Sequence, residues 1–281
     1  MRNLKIVLAI FFVLVVSFFV VRSCVHKKSF YYEVEKRIFV TKKKLIPEKV
    51  YVQPSGEIVK GPRMAIILDD WGNNFSLVQL AVDLHRPVTL SILPHLPNSE
   101  RIDAEAAKNN LGVMLHMPMQ PKNKSKGLEP HTIMVTNSDK VIVAYLDSAL
   151  ASVPHADGVN NHMGSAATSD ERVMKTVLSH LLSKGLFFVD SNTISTSVAP
   201  RVAKELGIKF TKRDVFIDND LKSESVKRYL RRAVAIALKR GRVVVIGHDK
   251  KVTLEAIQAM IPEIEKSGVR FVLVKDLVEG N

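Results

Sequence analysis

The chain of 281 residues has one cysteine, Cys24, which excludes an internal disulfide framework and a thiolate metal cluster. Aromatic residues make up 6% of it, so an extended stacking surface for nucleic acid or a long sugar would have few residues to use. No glycine-rich loop has phosphate-binding spacing, and no RNA- or DNA-binding motif, internal repeat or long low-complexity tract occurs. What is there is 46% hydrophobic residues, enough for a full core and about one large domain with appendages. The net charge is +13, which favours polyanionic surroundings. Much of that excess (Lys27, Lys28, Lys36, Arg37, Lys42, Lys43 and Lys44) precedes Met64, so a basic linker beside a membrane explains it more simply than a nucleic-acid groove.

The N-terminus supports that reading. A nearly pure apolar run over 6–21 is flanked by Lys5 and Arg22, and no small-x-small cleavage site follows. An uncleaved signal anchor is therefore favoured over a cleaved signal, and Arg22 speaks against lipidation at Cys24. The expected organisation is an anchor over 1–24, a basic juxtamembrane spacer over 25–61 with Pro47, Pro54 and Gly56, and one folded domain over 62–281. The membrane would be met through the first segment, with the domain on its extracytoplasmic side, at the periplasm or cell surface.

From Met64 the pattern becomes rhythmic. Met64 to Leu68 show no polar alternation, as expected of a parallel strand covered on both faces. Helices are expected over 75–84, 99–109 (Ser99 a possible cap), 138–152, 170–184, 198–206, 223–240 and 254–267. Strands are expected over 88–93, 112–117, 158–160, 186–189, 209–210, 242–246 and 270–274. Such alternation specifies right-handed βαβ crossovers and a parallel α/β sheet, open or closed into a barrel, with the barrel favoured.

Charged and imidazole groups recur at the strand ends: Asp69-Asp70, His95, His116, His162, Asp190, Arg213-Asp214 and His248. Loops at that edge of a parallel sheet converge, so ligands bind there. Any one of these histidines is more often a hydrogen-bonded structural group, and Arg213 with Asp214 reads equally as an ordinary ion pair. Their recurrence at equivalent positions argues for a shared site. Asp69 and Asp70, adjacent on a strand, are expected to point to opposite sides and to do different jobs. His95 and Trp71 read as possible lining of the site, Trp71 as a wall for a sugar.

The motifs LDDWG, LHMPMQP, NNHMGS, FVDS and IGH, spread over 62–278, resemble the divergent polysaccharide deacetylase family, distant relatives of carbohydrate esterase family 4. The resemblance implies a distorted (β/α)7-type barrel and a divalent metal, zinc by the Asp and His donor types. It implies Asp69 as catalytic base, Asp70 and His116 as metal ligands, and His248 as general acid. Where the better-known relatives place a second histidine four residues after His116, this chain has Gln120, and His162 is expected to supply that imidazole. Asp190, Arg213 and Asp214 would tune or orient these groups. The implied function is metal-dependent deacetylation of an acetylated cell-envelope carbohydrate. The alternative is a membrane-anchored binding or scaffold protein that keeps the barrel without turnover.

Overall fold

The run Arg63–Trp71 forms the central strand, β1, and its residues Met64 to Leu68 are completely buried. This computed structural model describes residues 51–52, 58–59, 61–123 and 127–280, so the expected anchor and most of the spacer lie outside the described residues. Tyr51–Val52 and Ile58–Val59 pair as a separate antiparallel ribbon, and beyond β1 the strands of the main sheet are β2 (Thr89–Ile92), β3 (Gly112–Met119), β4 (Gly158–Met163), β5 (Phe187–Asp190), β6 (Phe210–Lys212), β7 (Val215–Phe216), β8 (Arg242–His248) and β9 (Arg270–Val272). The helices are α1 (Val78–Val82), α2 (Ser99–Lys108), α3 (Asp139–Ala151), α4 (Glu171–Ser183), α5 (Ala199–Leu206), α6 (Ser223–Arg240) and α7 (Lys251–Lys266).

The sheet runs β6-β5-β4-β3-β2-β1-β8-β7, with β9 beside the start of β1, and every pairing in it is parallel. β1 pairs with β8 along one side, from Arg242↔Arg63 to His248↔Asp69. Its other side pairs first with β9 and then with β2. Only Arg213 and Asp214 separate the two edge strands β6 and β7. Arg213 N–H donates to the Asp190 carbonyl on β5, and Asp214 N–H donates to the Val244 carbonyl on β8. One short segment thus borders both ends of the sheet, which curls into a half-barrel.

The curl explains why β1 shows no alternation. Met64, Ile66, Leu68 and Trp71 pack into the layer between sheet and helices, whereas Ala65 and Ile67 join Met114, Val189, Val244 and Ile246 inside the curl. Both faces are apolar because both face a core. Trp71 is fully buried in the outer layer, so it cannot form a wall of a sugar site.

The predicted helix over 223–240 is observed with those bounds, closed by Gly241 at φ 79°. The helix expected over 75–84 is instead a 3₁₀ turn, Phe75–Leu77, followed by the five-residue α1. Ser99 does not cap α2: its hydroxyl donates to the Leu93 carbonyl at 2.6 Å and accepts from Leu96 N–H at 3.0 Å, bracing the turn after β2. Among the described residues no helix is long and apolar enough to cross a membrane.

Close strand packing gives a direct test. A Cβ added at Gly158 would lie 2.3–2.6 Å from ring carbons of Phe187, its partner on β5. Gly158→Ala is therefore expected to cost about 1–3 kcal/mol, the range for overpacking a filled core. A clear drop in the urea unfolding midpoint checks this, and a wild-type midpoint contradicts it.

Candidate metal centre and active site

Asp69 and Asp70 do not diverge as alternation requires. The register between β1 and β2 shifts between Leu68 and Trp71, and Asp70 sits in the left-handed region at φ 66°. A bulge of this kind re-aims one side chain, and aspartate tolerates the conformation better than a branched residue does. Both carboxylates consequently approach one imidazole: Asp69 Oδ2 is 3.7 Å and Asp70 Oδ1 is 3.3 Å from His116 Nε2.

His116 lies on β3, and His162 lies on β4 opposite Pro118, one strand over and two residues further along. Their rings meet edge to face with centroids 4.9 Å apart. His162 Nδ1 is 3.1 Å from Asp70 Oδ1 and 3.2 Å from His116 Nε2. Asp70 Oδ1, His116 Nε2 and His162 Nδ1 thus form a nearly equilateral triangle.

Hydrogen bonds behind the triangle set which atoms face it. Asn160 donates through Nδ2 to Asp69 Oδ1 at 2.9 Å, so its oxygen faces the other way. That oxygen accepts from the Ser91 hydroxyl at 2.6 Å and from His116 Nδ1 at 2.7 Å. With its proton on Nδ1, a neutral His116 directs the lone pair of Nε2 into the triangle. Asp70 Oδ1 is buried there with no hydrogen-bond partner. Convergent lone pairs around an orphaned carboxylate oxygen are what a cation site requires. Ligands about 2.0–2.1 Å from a tetrahedral zinc stand about 3.3 Å apart, close to the observed edges. The residues present therefore fit a divalent metal.

Electrostatics divides the two aspartates. Burial pushes the Asp69 carboxyl above its ordinary value, against the opposing pull of His116 and Asn160. Burial also opposes ionisation of Asp70, but His116 and His162 outweigh it and hold that carboxyl well below the usual carboxylate range. For His116, burial disfavours the charged ring, yet Asp69 and Asp70 prevail and it is pushed up to about 9.

His248, at the end of β8, turns Nε2 toward Asp70 Oδ2 at 3.7 Å. Its back is fixed by Asp218, which accepts from the ring Nδ1 at 3.0 Å and from the backbone N–H at 2.7 Å. Asp218 is in turn held by the Thr253 hydroxyl at 2.8 Å. Burial works against protonation of His248, but Asp218 and the aspartate pair raise its pKa. Beside the triangle lies a cavity of about 590 Å³, with Asp70, Glu129, His162, Asp249 and Lys250 on its wall and Asn73 and Asn74 at its rim.

Other expected residues fall elsewhere. Arg213 bonds the Ser191 and Asn192 carbonyls and lies close enough to Asp69 and Asp190 to feel their charge. Asp190 makes a turn instead of reaching an imidazole: its carboxylate accepts from Asn192 N–H and the Ser197 hydroxyl, both at 2.7 Å. Asp214 is turned away, accepting from Val244 N–H and pairing with Arg240, not with Arg213. His95 contacts Ser148 on α3 and the ring of His131, and it does not line the cavity. Gln120 uses its side-chain oxygen to accept from Val135 N–H at 2.7 Å and is no ligand. Asn160, Asp218 and Glu129 were not anticipated. Asp218 had a signal: Val215-Phe216-Ile217-Asp218 repeats the apolar run ending in a carboxylate seen at β1.

This parallel α/β half-barrel, with carboxylates and imidazoles gathered at its strand ends, has a polysaccharide-deacetylase-like fold. The chain belongs to the divergent polysaccharide deacetylase family, whose model matches residues 66–278. It is 34% identical over 197 residues to an uncharacterised protein of Haemophilus influenzae, a match covering 70% of each chain. It is 32% identical over 199 residues to the uncharacterised Escherichia coli protein YibQ, covering 71% of this chain and 62% of YibQ. Among solved structures, an uncharacterised Agrobacterium tumefaciens protein matches with a TM-score of 0.75 at 22% identity, covering 82% of this chain and 98% of its own. The catalytic domain of a peptidoglycan N-acetylglucosamine deacetylase from Eubacterium rectale matches with a TM-score of 0.50 at 16% identity, covering 79% and 94%. These structural likenesses show a shared fold.

The raised pKa of His116 gives the metal-free protein a defined pH response. A folded-state value above the unfolded one, about 6.5, contributes stability that is complete below about pH 6.5. That stability is lost as the pH rises through about 9. His248 acts in the same direction. The urea midpoint of the metal-free protein is expected to fall across this window, and His116→Gln to flatten the fall. The same slope in variant and wild type contradicts the assignment.

Proposed function

We propose that the protein is a metal-dependent deacetylase acting on an acetylated carbohydrate of the cell envelope. The observation that carries this reading is the triangle of Asp70 Oδ1, His116 Nε2 and His162 Nδ1, with edges of 3.1–3.3 Å, beside Asp69 and His248. An acetylated amino sugar is the favoured substrate class, in keeping with the name of the Eubacterium rectale relative. Asp70, His116 and His162 would hold the ion. A divalent cation bound there supplies Lewis acidity, polarising an acyl carbonyl and lowering the pKa of a water.

The chain's own groups do the proton work. Asp69, fixed by Asn160 and with its pKa raised by burial, accepts the proton of the attacking water. His248, oriented by Asp218 with Nε2 toward the aspartates, delivers a proton to the departing amine as the carbon–nitrogen bond breaks, leaving acetate and a free amine. Arg213 lies near enough to favour the ionised form of Asp69, offsetting part of the burial.

The two aspartates are expected to fail differently. Asp70→Asn should lose zinc and hydrolysis together, while Asp69→Asn should keep zinc through dialysis and lose hydrolysis of an acetylated amino sugar. His248→Gln should lower kcat by about 10²–10⁴, the usual contribution of a positioned acid. Equal zinc loss in both aspartate variants, or equal retention, contradicts the division of labour and favours a non-catalytic scaffold.

We also propose that the apolar run 6–21 anchors the protein in a membrane and that the folded domain lies on the extracytoplasmic side. Full-length protein should remain in the pellet after carbonate extraction, and a chain starting at Arg63 should be released. Recovery of a mature form beginning near Ser23 or Cys24 would replace the anchor with a processed terminus.

A further inference from the structure

Each imidazole of the site has a front nitrogen facing the aspartates and a back nitrogen facing a polar group. For His116 the back nitrogen, Nδ1, meets Asn160 Oδ1 at 2.7 Å. For His248 it is also Nδ1, which meets Asp218 Oδ1 at 3.0 Å. His162 is reversed: Nδ1 faces Asp70 and His116, and the back nitrogen is Nε2. The polar group nearest it is Glu129 Oε1, at 3.4 Å. His162 Nε2 is buried without a hydrogen-bond partner, and so is the other carboxylate oxygen of Glu129. A buried ring nitrogen without a partner costs free energy unless it closes on an acceptor, and Glu129 Oε1 is the carboxylate oxygen within reach of it.

Glu129 is delivered by a segment that leaves β3 and folds back on it. Ile133 N–H donates to the Pro118 carbonyl and Gln120 N–H to the Ile133 carbonyl, both at 2.9 Å. The Glu129 carbonyl accepts from the Thr132 hydroxyl at 2.6 Å, and Gln120 Oε1 holds Val135 N–H. Gln120 thus helps hold the strap that brings Glu129 to the imidazole of His162.

We infer that Glu129 is the positioning residue of His162: it accepts a hydrogen bond from Nε2–H, which holds the tautomer whose Nδ1 is unprotonated and aimed at the triangle. This rests on the metal reading of that triangle. A carboxylate behind a ligating imidazole fixes the tautomer and ring orientation, and its loss typically lowers metal affinity 10–100-fold.

The test is zinc affinity of the full-length chain by chelator competition, paired with the visible spectrum of the cobalt(II)-loaded protein and with melting of the metal-free protein. Glu129→Ala is expected to weaken zinc binding at least tenfold and to shift the cobalt bands. Glu129→Gln, whose amide oxygen still accepts from Nε2–H without the charge, should fall between Ala and wild type. Lys122→Ala, on the same strap, should bind as wild type does. Wild-type affinity and an unshifted spectrum in Glu129→Ala overturn the inference. If Glu129→Ala melts lower than wild type without metal, the isosteric Glu129→Gln decides, and wild-type affinity there overturns it. A wild-type chain that binds no zinc removes the metal reading itself, whereas a zinc-binding wild type with an unaffected Glu129→Ala removes only the role of Glu129.

Discussion

The site depends on one backbone distortion, the left-handed turn of Asp70 at the end of β1. An ideal strand would send Asp69 into the curl and Asp70 into the helical layer, where a carboxylate would be buried beside Leu68 and Ile92. The left-handed conformation costs an L-residue about 1–2 kcal/mol. Complete burial of Met64 to Leu68 on the same strand fixes the register that imposes this strain. With Asp70 turned back, two carboxylates share His116, and the orphaned Asp70 Oδ1 becomes the corner around which both imidazoles gather. The distortion sits where function concentrates strain.

The second imidazole comes from the neighbouring strand, and the sheet geometry allows it. His116 and Gln120 are on one strand, whereas His162 is on the neighbouring strand at the level of Pro118. Adjacent strands lie about 4.7–4.9 Å apart, so a diagonal pair across them brings two rings into edge contact. Gln120 is thereby free to hold Val135, and the strap it braces carries Glu129 over the cavity.

Much of this was legible in the sequence. The apolar run at Met64, the strand–helix alternation and the imidazoles at strand ends gave the parallel α/β architecture and brought Asp69, Asp70, His116, His162 and His248 under suspicion together. The bulge was not legible, because alternation is the default rule for a strand and nothing in Leu68-Asp69-Asp70-Trp71 announces a register shift. Trp71 read as a pocket wall because an indole beside two carboxylates looks like sugar recognition, yet the same bulge places it in the outer core. Asp190 and Asp214 sit at strand ends as expected, but backbone N–H groups claim their carboxylates first. Asp218 escaped notice because the apolar run before it is short and β7 has two residues, and Glu129 because its strap has no periodicity to read.

The central claim is that Asp70, His116 and His162 together bind a divalent metal. X-ray absorption at the zinc edge of the zinc-loaded protein reads that directly. Four light-atom ligands at about 2.0–2.1 Å are predicted, with the outer-shell scattering of two imidazoles, reduced to one in His162→Ala. A six-oxygen shell without imidazole scattering, or a His162→Ala spectrum identical to that of the wild type, would contradict the account.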